Sequence, residues 1–346
     1  MKKTLLRLYK WIIISVMLQV LILVFFNNFY LADRKVQVDA KPHESFEFKP
    51  KPKVDWKLPE GIEQIRVSYD GAYASYLHNG KLEILSIKDE KVVKTIDPDS
   101  STLTYYRWLP DRRMIIYAKK LLDSQYGHIE ISTIDVDSGT ESSYPKMSKL
   151  VRESEVVGIE LSPLTKVAYV KVKTSQNQAS IYKYNIMNNL SYIMTASINT
   201  VIKQAGYADK LIYQDEKFKA YVRDGGKNVT WPFPFKKKMA LIGIDPEDQV
   251  YLGELDNSGK VSRLHYGKLT VEPDKAWYQI SLKNQAFADE LVVAPDEAAY
   301  YVPKGDKFII NTKTNKKTDY TGEFIEIIKG YVVSLSSGKL IFTEIK

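Results

Sequence analysis

Leu161-Ser162-Pro163-Leu164-Thr165-Lys166-Val167-Ala168-Tyr169-Val170 is the stretch on which the reading of this chain turns. It joins the end of one β-prone run to a Ser-Pro turn, and the turn to a second run in which small and aliphatic residues flank a tyrosine. Proline pre-sets φ for a turn and serine can bond the turn backbone, whereas Val and Tyr suit a pleated, half-buried surface. The stretch therefore predicts strand, tight turn, strand. The element recurs upstream as Val67-Ser68-Tyr69-Asp70-Gly71-Ala72-Tyr73-Ala74-Ser75-Tyr76 and as Trp108-Leu109-Pro110-Asp111-Arg112-Arg113-Met114-Ile115-Ile116-Tyr117. Downstream it returns as Gly206-Tyr207-Ala208-Asp209-Lys210-Leu211-Ile212-Tyr213, Ile244-Asp245-Pro246-Glu247-Asp248-Gln249-Val250-Tyr251-Leu252 and Val293-Ala294-Pro295-Asp296-Glu297-Ala298-Ala299-Tyr300-Tyr301. A degenerate last copy is Ile328-Lys329-Gly330-Tyr331-Val332-Val333.

Between the copies the pattern stays β. Ala72–Leu77 and Lys81–Ile87 meet through His78-Asn79-Gly80, Glu130–Val136 ends at Asp137-Ser138-Gly139, and Tyr331–Leu335 meets Leu340–Ile345 through Ser336-Ser337-Gly338-Lys339. Asn-Gly and Ser-Gly supply the positive φ angles of tight hairpins. Helical periodicity is not sustained over ten residues anywhere beyond Leu58. The copies start about 35–53 residues apart, the length of one four-stranded blade with variable loops. In this Ser/Ala-Pro-Asp-x-x-x-hydrophobic-Tyr element the chain resembles the turn between the first two strands of blades in TolB-like and WD40-like β-propellers. The resemblance implies an all-β fold, a propeller of about seven blades over residues 57–346, and no particular activity. A strand from near Trp56–Val67 is expected to complete the short last blade and close the ring, because an open ring would leave unpaired edges. The rival architecture is a pair of β-sandwich domains.

N-terminal to this domain, residues 11–32 carry no charge and residues 12–26 are nearly all large and apolar. About 20 such residues in a helix cross a hydrocarbon core of about 30 Å. Lys2, Lys3, Arg7 and Lys10 precede the run and mixed charges follow it, so the positive-inside rule predicts a cytoplasmic segment 1–10, a transmembrane helix 11–32 and an extracytoplasmic C-terminal bulk. A cleaved signal peptide is the alternative, but it calls for a shorter apolar region and a small-x-small exit, and Tyr30 precedes Leu31-Ala32 here. Residues 33–56, with Lys41-Pro42, Lys49-Pro50 and Lys51-Pro52, read as an extended linker.

The formal net charge is +8, yet five cations and one anion lie within residues 1–34. The remaining excess is too dilute for a nucleic-acid surface. With no cysteine in the chain, disulfides, thiol catalysis and thiolate metal sites are excluded. Four histidines, His43, His78, His128 and His265, share no metal-ligand spacing and read as surface or turn residues. No Gly-x-Ser-x-Gly elbow is present. The carboxylates Asp135, Asp137, Asp245, Glu247 and Asp248 fall at predicted turns, where Asp bonds the nearby backbone. Asp256-Asn257-Ser258-Gly259 is too short a ligand set for a calcium loop. No catalytic residue, cofactor or metal is expected.

Trp231-Pro232-Phe233-Pro234-Phe235-Lys236-Lys237-Lys238 stands apart. Alternating proline keeps it extended and removes two backbone donors, which suits a loop or an edge. If Trp231, Phe233 and Phe235 face solvent they form a contact surface with Lys236, Lys237 and Lys238; if they face inward they seal the junction between two blades. The expected role is a membrane-anchored, extracytoplasmic scaffold or sensor with a protein partner in the cell envelope, beside polysaccharide synthesis, export or wall-assembly machinery, and with membrane lipid around residues 11–32. The alternative is an extracytoplasmic carbohydrate-binding or glycan-active protein.

Overall fold

The computed structural model describes residues 2–25, 54–123, 125–162, 164–269, 277–296 and 298–346. Two compact units result, residues 1–49 and 50–346. The first is the helix Lys2–Phe25. Four cations occupy its opening turns, so its uncharged part runs only from Trp11 to Phe25, about 15 residues or roughly 22 Å. Among the described residues no helix is long and apolar enough to cross a membrane. The rest of the expected span, residues 26–32, lies outside the described residues, as do residues 33–53 of the expected linker and His43.

The second unit is a β-propeller of seven antiparallel sheets. Blade 1 is built from Glu63–Val67, Tyr73–His78, Lys81–Ser86 and Lys91–Ile96 in simple meander order. Blades 3 to 6 repeat it, starting at Glu155, Val201, Met239 and Leu291. Blade 2, starting at Thr102, carries an additional strand, Met147–Leu150, paired with Gly127–Asp135. The first strands of blades 1 to 6 abut in succession, and the first strand of blade 7, Glu323–Ile328, abuts that of blade 1. These are the inner strands of the ring.

What excludes a pair of sandwiches is the distribution of the core. Among the described residues seven apolar clusters are present and each fills the space between two consecutive sheets: Ile84 with Ile115, Ile116 with Val170, Tyr169 with Leu211, Ile212 with Val250, Tyr251 with Leu291, Tyr300 with Val332 and Val333 with Ala74. Every sheet is thus buried on both faces, which explains why the central strands read as nearly unbroken Val, Ile and Tyr runs.

Blade 7 contributes three strands of its own, Glu323–Ile328, Tyr331–Ser336 and Lys339–Glu344. Its edge is taken by residues 54–58: Val54 N–H donates to the Leu340 carbonyl (3.0 Å) and Leu58 N–H to that of Gly338 (2.8 Å). Closure by the N-terminal segment follows the expectation, but the segment begins two residues earlier and shares only residues 56–58 with the predicted one. A turn at Glu60-Gly61 separates it from Glu63–Val67, which is the inner strand of blade 1 instead. Val54 and Leu58 are buried in the cluster shared by blades 7 and 1.

The recurrent turns latch neighbouring blades. Asp70, beside Ser68 in the first copy, receives Arg113 Nε of the second at 2.7 Å. Ser162 Oγ donates to the Gly206 carbonyl, and Asp248 of blade 5 accepts the Gly206 and Tyr207 N–H groups of blade 4. These turns are therefore structural ties on one face of the ring. The opposite face carries the loops that link each blade to the next.

Candidate interaction face at blades 4 and 5

On that opposite face the Pro-Phe run leaves blade 4. Val229–Pro232 is the outermost strand, with Trp231 opposite Val222, and the Trp231 side chain is 39% exposed. Phe233 continues the pairing, its N–H donating to the Ala220 carbonyl at 3.0 Å. Its ring is buried in the core between blades 4 and 5, edge-on to Trp277 with centroids 5.5 Å apart. Phe235 is half-buried, 5.8 Å from Trp277 and 5.0 Å from the His265 ring. Two of the three rings singled out by sequence thus seal the inter-blade junction, and Trp231 faces out. Trp277, which completes the cluster, was not found from sequence because its partners come from another blade. Space for it exists only because residue 267 is glycine: a Cβ there would stand 2.5 Å from the indole.

The lysines that follow sit on the loop to the inner strand Met239–Ile244 of blade 5, and all three are exposed. Lys237 bonds Glu254. Glu254 Oε2 also lies 3.0 Å from His265 Nε2, with Arg263 at 3.9 Å. Burial raises the Glu254 carboxyl, but Lys237 and His265 outweigh it and hold the group below its ordinary range. His265 is itself buried, which corrects its assignment as a surface residue. Strand Val261–Lys268 turns that side chain toward Phe235 and the neighbouring blade. Lys236 and Lys238 have no carboxylate partner among the described residues.

Three loops are cross-tied around this point. Leu255 N–H donates to the Lys238 carbonyl at 3.0 Å, and Met239 N–H to that of Phe218 at 2.8 Å. Between them lies an open depression of about 750 Å³, lined among others by Phe218, Lys237, Lys238, Glu254, Leu255 and Ser258. Its lining sets two lysines against two carboxylates over a small apolar floor: Glu254 is paired with Lys237 and Asp256 is bonded to its own hairpin, which leaves the Lys238 ammonium without a carboxylate partner among the described residues.

The remaining candidate groups have structural engagements. Asp256 accepts Ser258 N–H (2.8 Å) and Lys260 N–H (3.0 Å) and so closes its hairpin. Asp135 accepts Ser138 N–H at 2.8 Å, and Asp137 meets Tyr73 and Arg113. Asp245 is 2% exposed and accepts bonds from Glu247 and Gln249 N–H and the Tyr251 hydroxyl, its pKa raised by burial. Glu247 faces Lys268 at 3.5 Å. His78 approaches Glu83 at 3.4 Å and His128 Asp123 at 2.7 Å. Among the described residues no group of three or more His, Asp and Glu is placed to hold a metal ion.

No family profile matches this sequence. Nor does any curated protein. Solved structures do match in fold. A prolyl endopeptidase from a study of inter-domain dynamics in catalysis and specificity aligns at TM-score 0.53 and 14% identity, covering 75% of this chain and 42% of that one. The β-propeller domain of Cps50 (Swd1) from Myceliophteria thermophila aligns at TM-score 0.50 and 11% identity, over 85% of this chain and 100% of that domain. TolB from Acinetobacter baumannii aligns at TM-score 0.45 and 13% identity, over 82% and 63%. The chain spans under half the length of the endopeptidase, and at such identities the likeness is one of fold.

Proposed function

We propose that this chain is a membrane-anchored, extracytoplasmic β-propeller that serves as a non-enzymatic protein-interaction scaffold or sensor in the cell envelope. The observation that carries the reading is a contrast within the ring. The candidate acidic and imidazole groups described above are engaged in turns, latches and inter-blade pairs, whereas an open depression with exposed lysines in its lining is left at blades 4 and 5. Tethering rests on the uncharged run 11–32 and the basic residues before it. Machinery for polysaccharide synthesis, export or wall assembly supplies the partners to look for.

The test is co-purification of the full chain in mild detergent, with protease protection of a C-terminal tag in intact cells. A specific co-purifying protein and a tag cleaved from outside support the reading. A protected, cytoplasmic tag overturns the location, and capture of no protein overturns the scaffold role. Carbohydrate contact is the second reading, favoured by the outward ring of Trp231; glycan binding lost in Trp231→Ala with no protein captured would put it first.

A further inference from the structure

We infer that the depression between blades 4 and 5 receives an acidic segment of a protein partner, anchored by one apolar side chain. This rests on the scaffold reading and names the chemistry of its ligand. Three observations point there. The walls are pre-formed, since main-chain bonds from Leu255 to Lys238 and from Met239 to Phe218 tie the loops together before anything binds. A ligand then meets little ordering cost.

The unspent charge is cationic. Lys238 lines the depression, Lys236 lies two residues before it and Lys217 adjoins the lining residue Phe218; all three are exposed and have no carboxylate partner among the described residues. Facing carboxylates are mostly occupied: Asp215 accepts the N–H groups of Lys217 and Lys219, Asp256 those of Ser258 and Lys260, and Glu254 holds Lys237 and His265. Among the described residues of the blade 4 loop, Glu216 is the exposed acid beside these lysines.

The floor separates a peptide from a continuous polyanion. Phe218 is 37% exposed and Leu255 lies beside it in the lining. A hydrated phosphate polymer gains nothing from that apolar surface. An acidic peptide with one Phe or Leu buries its side chain there while its carboxylates reach the rim.

The experiment uses the full chain in detergent and a fluorescein-labelled peptide of alternating Asp and Glu with one central Phe, read by fluorescence anisotropy. Saturable binding is expected, weakened at least tenfold by Lys236→Glu with Lys238→Glu, by replacing the Phe with Ser, and by raising salt from low to about 0.5 M. Both lysines are solvent-facing, so the double variant keeps the fold; an unchanged melting temperature confirms it. A peptide bound equally by the double variant, or no better than its Lys counterpart, overturns the inference. Inorganic polyphosphate that displaces the peptide while the Ser version binds as well as the Phe version does so in favour of a polyanion site. Repeating the co-purification with the double variant separates the two readings: a partner captured undiminished leaves the scaffold standing and removes this site.

Discussion

Glu326 on the inner strand of the last blade accepts a hydrogen bond from the Val67 main-chain N–H on the inner strand of the first. This bond crosses the seam where the ring closes. Burial raises the Glu326 carboxyl from 4.5 to about 7, against the lowering effects of Val67 N–H, Arg66 and Arg107. The folded chain thus holds a proton that the unfolded chain releases, and its stability falls as pH rises from about 4.5 to about 7. Above that window the ionised group costs the fold on the order of 1–3 kcal/mol. Glu326→Gln keeps an acceptor and removes the charge. Urea unfolding should show the variant more stable at pH 8 and equal to the parent at pH 4; equal stability at pH 8 would refute the seam argument.

Glu160 behaves oppositely. Its two oxygens take Arg107 and Lys203, each at 3.1 Å, so one carboxylate ties the inner strands of blades 2, 3 and 4. Burial raises its carboxyl, yet Lys203 and Arg107 prevail and hold it below 4.5. Its contribution is present above the ordinary carboxylate value and is lost as pH falls through the lower folded one. Glu160→Leu leaves two cations facing each other and should cost about 3–5 kcal/mol at pH 7, with a smaller loss at pH 3. A loss independent of pH would point to packing instead.

Closure by residues 54–58 predicts strong sensitivity at a position that reads as linker margin. Leu58→Ala should destabilise by about 2–4 kcal/mol through the cavity it leaves between blades 7 and 1. Removing residues 1–58 should expose the Lys339–Glu344 edge and convert a monodisperse species into associating ones on size-exclusion chromatography. A monomer of unchanged melting temperature would show that the three-stranded blade suffices.

At Gly267 a side chain has nowhere to go. Gly267→Ala should displace Trp277 from the Phe233–Phe235 cluster at a cost of about 1–3 kcal/mol and shift tryptophan emission to the red. Trp277→Phe in the same background should recover part of the stability, and failure to do so would mean that the strain lies in the backbone.

How much of this was legible beforehand differs between parts of the chain. Strand and turn identities were open to reading because Val, Ile and Tyr runs and Asn-Gly or Ser-Gly turns are local preferences. The repeat length then pointed to blades. The site was legible only in part: the exposed lysines were identified, but Phe233 and Phe235 face inward and His265 is buried, since the facing blade decides which side of each strand is covered. Register shifts just before Arg66, Tyr105, Gly158, Gly243 and Glu326 interrupt the pairing of five inner strands. Such a shift resets the two-residue alternation, so the sequence could not reveal that Arg107, Glu160 and Lys203 would meet.

By itself the sequence determined a cysteine-free, turn-punctuated β chain of repeated units behind an uncharged N-terminal run, because those properties depend on residues close together in the chain. Only the tertiary structure decided that seven sheets close into one ring, that Val54 and Leu58 complete the last, and that Glu254 neutralises Lys237 while Lys236 and Lys238 have no carboxylate partner among the described residues. Each of these depends on contacts between residues far apart in the chain, whose geometry is set by packing sheet against sheet.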